Sequence, residues 1–493
     1  MFQMYQHQQE AVNRLWRYPN YALLMEMGTG KSRCIIEDWL NRVNQGLIDD
    51  LVVIGPKGAY MNWIGAEGEP GELEKWIEPD SLPRIRYAPW ISGGNKTNQK
   101  ALNDLLYAKG PRFLCMNIEA LNRPGQARKY LLDFIGTRRV IGVIDESTMI
   151  AHESAARTKW LLENASRFQC RRILSGLVVP ESPMDSFTQY QFLDWRIIGQ
   201  KTFWGFRNRY AITEKVDFTP RAHKVNEAAP EKQKVVTVIT GYRNQEELHE
   251  RMMRYSYRVT KDDVLDLPPK IYQFWDVELA PEQRRIYEQM KNVAMAKLSA
   301  DEYSTAKIKL DQLGKMQHIL CGHVRKEDGT LADIPEYRTD AVIEILRNHT
   351  GKAIIWAPYP YTLNKIRDRI ATEFGDDSVV GYWGETKLAD RLVARGRIQN
   401  DDMCRFIVSN QSVGKFGNTW TACNLVIYYA NSFDNEDRQQ SEDRAHRIGQ
   451  TKFVTYIDIR AEGTMDDKLI RALRKKMDLS ATLQGDKFKE WLI

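Results

Sequence analysis

Short apolar runs recur along this chain between polar and glycine-rich stretches. Residues 21–25 (YALLM), 51–55 (LVVIG), 113–116 (FLCM) and 140–144 (VIGVI) have strand length and no polar alternation. Such runs predict strands buried on both faces. Residues 172–175 (RILS) continue the series. A second series begins at 353–356 (AIIW), with strands expected near 378–381, 405–409, 425–429 and 453–457. Helices are predicted between them. Over 5–17, Tyr5, Ala11, Val12, Leu15 and Trp16 share one side of a helix, another starts at 32–40, and 465–475 forms a third. Strand and helix alternate twice, so the expected class is α/β, with two mainly parallel sheets covered on both faces.

The stretches between the runs set the organisation. Residues 65–75 are acidic and glycine-rich, and 91–98 (ISGGNKTN) read as a polar turn. Residues 184–212 are rich in aromatic and polar groups and read as a helical insertion, 219–235 read as a loop or exposed arm, and 245–262 as helical. Long helices are expected over 281–325. The run Leu267, Pro268, Pro269, Lys270 is rigid punctuation. It places the main boundary near 265, giving domains 1–265 and 266–475 and a C-terminal extension 476–493.

Composition narrows the class. A chain of 493 residues is too long for one ordinary core. With 43% hydrophobic and 28% charged residues it reads as a globular protein. No apolar run approaches the roughly 20 residues that span a bilayer. The first residues, MFQMYQHQQEAV, lack the basic start and apolar stretch of a secretory signal. The expected setting is intracellular and cytoplasmic, without membrane contact. A net charge of +6 permits nucleic-acid binding without arguing for it. Local clusters bear on it more: Arg112, 137–140 (TRRV), Arg171–Arg172, and Arg367 with Arg369. The six cysteines form no CxxC pair, which fits buried, reduced thiols. His318, Cys321 and His323 are close together, but zinc needs a fourth ligand and none is nearby, so a helix end with a polar turn is the preferred reading.

The chemistry gathers at two segments more than 400 residues apart. Gly28, Thr29, Gly30, Lys31 and Ser32 follow a strand and open a helix, the context a phosphate-binding loop needs. The glycines let the backbone turn N–H groups inward, and the helix adds its positive end. Lys31 is expected at the β- and γ-phosphates, with the Ser32 hydroxyl on Mg²⁺. The first glycine of the fuller GxxxxGK pattern is missing. Asp145 and Glu146 directly follow the 140–144 strand, placing Asp145 to hold Mg²⁺ and Glu146 to polarise an attacking water. In the late segment 440–450 (QSEDRAHRIGQ), Arg444 and Arg447 are three apart and would share a helix face. Their guanidinium groups suit phosphate oxygens, if the fold brings the two ends together.

Read together, these segments resemble superfamily 2 nucleic-acid-dependent ATPases of the Swi/Snf-like group, from Tyr5 to about Lys475. Tyr5-Gln6 resembles the adenine-recognition segment, which implies that Gln6 meets the base. MGTGKS resembles the phosphate loop. Residues 53–57 with Asn62 and Trp63 resemble a segment that touches the nucleic-acid backbone, and Asn117–Glu119 resembles another. Residues 206–210 and 247–270 resemble the region that separates Swi/Snf-like proteins from ordinary helicases, continued by Gln283 and Tyr287. Residues 409–422 resemble the loop coupling nucleotide to nucleic acid, and 440–450 is the most specific match.

The resemblance implies two tandem RecA-like domains, ATP and Mg²⁺, catalytic roles for Lys31, Asp145, Glu146, Arg444 and Arg447, and nucleotide contacts by Gly417 and Gln440. It implies nucleic-acid backbone contacts by Lys57, Asn117, Gln411 and Ser412. Two departures touch transmission between the domains. Leu177 replaces a threonine in the segment that begins Ser175-Gly176, and Lys415 stands in the coupling loop, either as a phosphate contact or as a solvent-facing charge. With short insertions, the chain resembles a stripped-down, monomeric motor core of a size that suits a viral or prokaryotic enzyme. The expected activity is ATP-driven translocation on duplex or branched DNA, in fork remodelling, branch migration or annealing, with replication or recombination proteins as partners. The alternatives are a conventional strand-separating DNA or RNA helicase and a non-catalytic nucleic-acid clamp. RNA is the less favoured substrate.

Overall fold

The computed structural model describes residues 3–56, 59–66, 69–176, 182–217, 235–300, 306–326, 328–414, 419–471 and 473. The chain divides into two compact units. The first holds residues up to Ala211 together with Tyr242–Asp266, and the second holds Ile212–Gly241 and Leu267–Lys475.

In the first unit the apolar runs become the interior strands of a seven-stranded sheet. Its strands in chain order are β1 (Asn20–Met25), β2 (Asp50–Gly55), β3 (Arg86–Trp90), β4 (Arg112–Asn117), β5 (Val140–Asp145), β6 (Cys170–Leu174) and β7 (Ser256–Val259). Across the sheet the order is β7-β1-β6-β5-β2-β4-β3, and every pairing is parallel. Leu23, Val53, Ile141 and Leu174 are fully excluded from water. Helices cover the faces. On α1 (Gln6–Arg17), buried His7, Gln8, Ala11 and Leu15 form one stripe, and α2 (Lys31–Asn44) buries Cys34, Ile35, Asp38 and Trp39.

The second unit repeats the plan with a six-stranded parallel sheet: β8 (Lys270–Asp276), β9 (Lys352–Trp356), β10 (Val379–Tyr382), β11 (Phe406–Ser409), β12 (Cys423–Tyr428) and β13 (Val454–Arg460), in the order β8-β13-β12-β9-β11-β10. Both faces of its centre are dry, with Ala353, Ile355 and Ile427 on one side and Ile354, Ile407 and Val426 on the other. Helices Pro281–Ala300 and Ala306–Leu320 fill the expected helical region. Among the described residues no helix is long and apolar enough to cross a membrane.

Several expectations need correction. The stretch 245–262 is not one helix. A helix ends at Met253, and Ser256–Val259 forms β7 beside β1, held by the Tyr21 hydroxyl on the Ser256 carbonyl at 2.9 Å. The polar turn at 91–98 gives way to a helix from Lys96, capped by the Asn95 side chain on Asn98 N at 2.9 Å. The arginine clusters are not an open basic face. Arg112 and Arg138 both bind buried Asp50 at 2.6 Å, and Arg172 and Arg42 both bind buried Asp38, at 3.0 and 2.8 Å. Arg367 pairs with Asp368, and Arg369 with Glu373. Lone buried carboxylates would be strongly penalised, so the arginines on Asp38 and Asp50 match charge inside the fold, whereas the pairs of Arg367 and Arg369 lie at the surface. The expected arm lies outside the described residues as far as 234, as does the whole of the expected C-terminal extension 476–493.

His318 and His323 form a pair, with Nδ1 of His318 2.6 Å from Nε2 of His323. Among the described residues no three potential ligands converge. Burial, aided by the neighbouring His318, pushes the His323 imidazole down to about 4 from the ordinary 6.5. The unfolded chain therefore takes up a proton near 6.5 while the folded unit resists it down to about 4. Stability is expected to fall as pH drops through that window. Urea midpoints measured from pH 7 to 4 should decline, and the decline should be shallower in His323→Gln.

Candidate functional site

The first unit gathers its polar chemistry where β1, β2, β5 and β6 end. Gly28 and Gly30 sit at φ 85° and 94°, a left-handed backbone that side chains resist. A Cβ at Gly30 would also lie 2.1 Å from Gln8 Nε2. The bend leads into fourteen-residue α2, whose N-terminus carries the positive end of the helix. The Thr29 hydroxyl donates to the Glu26 carbonyl at 2.7 Å. Lys31 Nζ donates to the Met25 carbonyl at 2.7 Å. Ser32 is half-buried one residue further into the helix. A glycine cradle at a helix N-terminus, with a lysine beside it, fits a polyphosphate.

Asp145 closes β5. Its Oδ2 accepts the Trp63 indole N–H at 2.9 Å, and its Oδ1 accepts Glu146 N at 3.1 Å. Burial pushes this carboxyl up from its ordinary range, while the Trp63 hydrogen bond and the charge of Lys31 pull it back. The carboxylate and the Ser32 hydroxyl are hard oxygen donors, and they fit Mg²⁺. Glu146 is 8% exposed and holds φ 52°, ψ 66°. Only Asn244 shares a positive φ among described residues other than glycine. A left-handed glutamate is a strained choice, and such strain concentrates at functional positions.

Gln6 opens α1 with an exposed side chain. The residues after it were not singled out from sequence, yet they reach the loop: His7 Nε2 lies 2.8 Å from the Thr29 carbonyl, and Gln8 Nε2 donates to it at 3.2 Å. β7 also borders the site. Arg258 donates to the carbonyls of Leu24 and Gly176, each at 3.0 Å, and Lys261 N donates to Glu26 at 2.9 Å. A polar stretch with no apolar run gave no signal for these contacts. Asn117, at the end of β4, is half-buried and donates to Glu119 at 3.4 Å. Lys57 and Leu177 lie outside the described residues.

The second unit holds the late motif, and here the shared helix face is wrong. The helix α4 (Asn435–Glu442) stops before either arginine. The Arg444 carbonyl, which would continue the helix, instead accepts Trp420 N at 2.9 Å. Gln450 pins the turn by donating to the carbonyls of Ala445 at 3.1 Å and Cys423 at 2.9 Å. Arg444 is fully buried, with Nε on the Gln440 carbonyl at 2.9 Å, whereas Arg447 is half-buried. Gln440 is buried and donates to Glu436 at 2.6 Å. Gln411 is 1% exposed and accepts Ser432 N at 2.8 Å, which makes it a poor surface contact. Ser412 is exposed and accepts from Asn410 at 2.9 Å. Lys415 and Gly417 lie outside the described residues.

A nucleotide-type loop, a strand-end acidic pair and a late arginine motif on two parallel α/β units define the class. The chain belongs to the SNF2-related domain family, whose profile matches residues 7–323. It is similar to the Mus musculus protein named DNA annealing helicase and endonuclease ZRANB3, 26% identical over 480 residues, covering 94% of this chain and 39% of that protein. The Mycoplasma genitalium protein named uncharacterized ATP-dependent helicase MG018 is 26% identical over 476 residues, covering 92% of this chain and 39% of that one. The chain thus spans about two fifths of the length of these relatives. A solved structure described as the Sulfolobus solfataricus SWI2/SNF2 ATPase core in complex with dsDNA aligns at 20% identity and TM-score 0.41, over 98% of this chain and 94% of that one.

The backbone at Glu146 can be tested apart from its chemistry. A left-handed position costs an alanine about 1 kcal/mol more than a glycine. Glu146→Gly should therefore be more stable than Glu146→Ala by roughly that amount in urea melts.

Proposed function

We propose that this chain is an ATP-hydrolysing motor that moves along DNA, most often as duplex or branched structures. The observation that carries the reading is the first unit's strand-end constellation, in which the Gly28–Gly30 bend, Lys31 and Ser32 follow β1 while Asp145 and Glu146 stand at the end of β5, with β6 between the two strands. Membership in the SNF2-related family supports it, as do relatives named for DNA annealing and ATP-dependent helicase activity.

In this reading the backbone N–H groups at the start of α2 and the Lys31 ammonium hold the β- and γ-phosphates. Ser32 and Asp145 would hold Mg²⁺, which when bound neutralises charge developing on the phosphate oxygens. Glu146 accepts the proton of the attacking water. Gln6 is proposed at the adenine edge, and Gly417 and Gln440 as further nucleotide contacts. Arg447 is proposed in the phosphate-binding role that the motif implies for both arginines, while fully buried Arg444 holds the turn through the Gln440 carbonyl. Lys57, Asn117 and Ser412 are proposed at the nucleic-acid backbone, where contacts fix position without reading sequence. Gln411 supports its loop from inside.

The test is steady-state ATP turnover with single strand, duplex, fork, four-way junction and RNA. Turnover should rise with duplex or branched DNA, and Glu146→Gln should lower it by on the order of 10²-fold or more. Turnover that no polynucleotide changes would sink the motor reading. Triplex displacement without strand separation would distinguish translocation on duplex from conventional unwinding.

Burial divides the two arginines. Arg447→Lys should reduce turnover with little change in melting temperature, because it removes paired donors from a half-buried group. Arg444→Lys should lower the melting temperature, because its guanidinium is packed inside the unit.

A further inference from the structure

The first unit treats its buried carboxylates in two ways. Asp38 and Asp50 are each matched by two arginines. Asp145 receives instead the indole of Trp63, itself 1% exposed, at 2.9 Å. An indole N–H is a neutral donor that accepts nothing. It fixes one carboxylate oxygen without cancelling the negative charge, as an arginine would. The group is thus oriented while no arginine occupies its charge, which suits a cation ligand.

The position of the indole is also built. Trp63 ends the short helix α3 (Ala59–Trp63), which lies against the end of β2. A Cβ on Gly55 would come within 3.0 Å of the Ala59 Cβ and 3.3 Å of the Asp145 Cβ, so glycine permits this approach. The Trp63 ring packs near Phe113, with centroids 6.1 Å apart. The residue before it, Asn62, is exposed, so one end of α3 presents adjacent side chains to solvent and to Asp145.

Given the ATP–Mg²⁺ reading above, on which this rests, we propose that Trp63 is a positioning residue that sets the affinity of the Asp145 site for Mg²⁺, with α3 linking the surface at Asn62 to that site. Removing the donor lets the carboxylate rotate and weakens its hold on the cation. Losses of this kind, through a partner behind a metal ligand, run about 10–100-fold in metal affinity.

The experiment measures binding of a non-hydrolysable ATP analogue to the full chain by calorimetry, in EDTA and across a Mg²⁺ titration. In Trp63→Phe the Mg²⁺ needed for half of the affinity gain should rise about tenfold or more, while affinity in EDTA stays within about twofold of the parent. Gly55→Ala, which keeps the indole but pushes α3 from Asp145, should raise it in the same direction and serves if the Phe variant does not fold. An unchanged Mg²⁺ requirement in the folded variants overturns the role of Trp63, as does an equal loss in EDTA and Mg²⁺, which marks a merely structural effect. A parent chain with no Mg²⁺-dependent gain at all overturns the ATP reading itself.

Discussion

The first unit depends on its strands running parallel, because a parallel sheet delivers all its strand ends to one edge. β1 lies between β7 and β6, and β5 between β6 and β2. Asp145 is thereby level with Leu174, and Leu23 with that same residue on the other side. Nothing in the local sequence of the phosphate loop places it near the acidic pair; the shared register of β1, β6 and β5 does. The ends of such strands carry carbonyl groups that the ladder leaves over, and the chain uses them. Lys31 takes the carbonyl of Met25, and Arg258 bridges those of Leu24 and Gly176. The edge is held together by the polar groups from which its chemistry is built.

Charge inside the units follows the same economy. A buried carboxylate needs compensation, and the choice of partner separates structure from chemistry. Asp38 and Asp50 tie α2 and β2 to neighbouring elements through arginines, and Asp458 in the second unit takes Arg438 at 2.5 Å while Glu442 takes the same arginine at 2.9 Å. Lys270 and Tyr272 reach Glu442 from β8, at 3.2 and 2.7 Å, so the segment just past the proline pair is fastened to the late motif's helix. Asp145 stands apart because its compensation is partial. That leaves a carboxyl raised by burial.

How much of this was legible in the sequence depended on where a residue sat in its sheet. Interior strands are dry on both faces, so 21–25, 51–55, 140–144 and 353–356 announced themselves as apolar runs. The edge strands β3, β7 and β8 did not. β3 contains Pro89 and two half-buried residues after it or before it on an edge, β7 reads SYRV, and β8 shows no fully buried position. An edge is covered on one flank only and tolerates proline and charge there. The candidate site was readable for the opposite reason, since glycine and acidic residues at strand ends carry backbone and charge requirements that few other types satisfy. His7 and Gln8 escaped notice, and Trp63 stood out only within a segment resembling a nucleic-acid contact, because a hydrogen bond to a distant neighbour shows only in the fold.

The late motif shows where spacing misleads. Arginines three apart suit a helix, but they suit a turn as well, and the turn wins because distant backbone competes for the same carbonyl. Trp420 N takes the Arg444 carbonyl, and Gln450 takes that of Ala445. With the helix stopped at Glu442, the two arginines no longer share a face and are free to differ. Arg444 turns inward to the Gln440 carbonyl, while Arg447 remains half-exposed past the bend. A motif that looks like one functional block is thus divided by its own fold into a part that shapes the turn and a part that the turn presents.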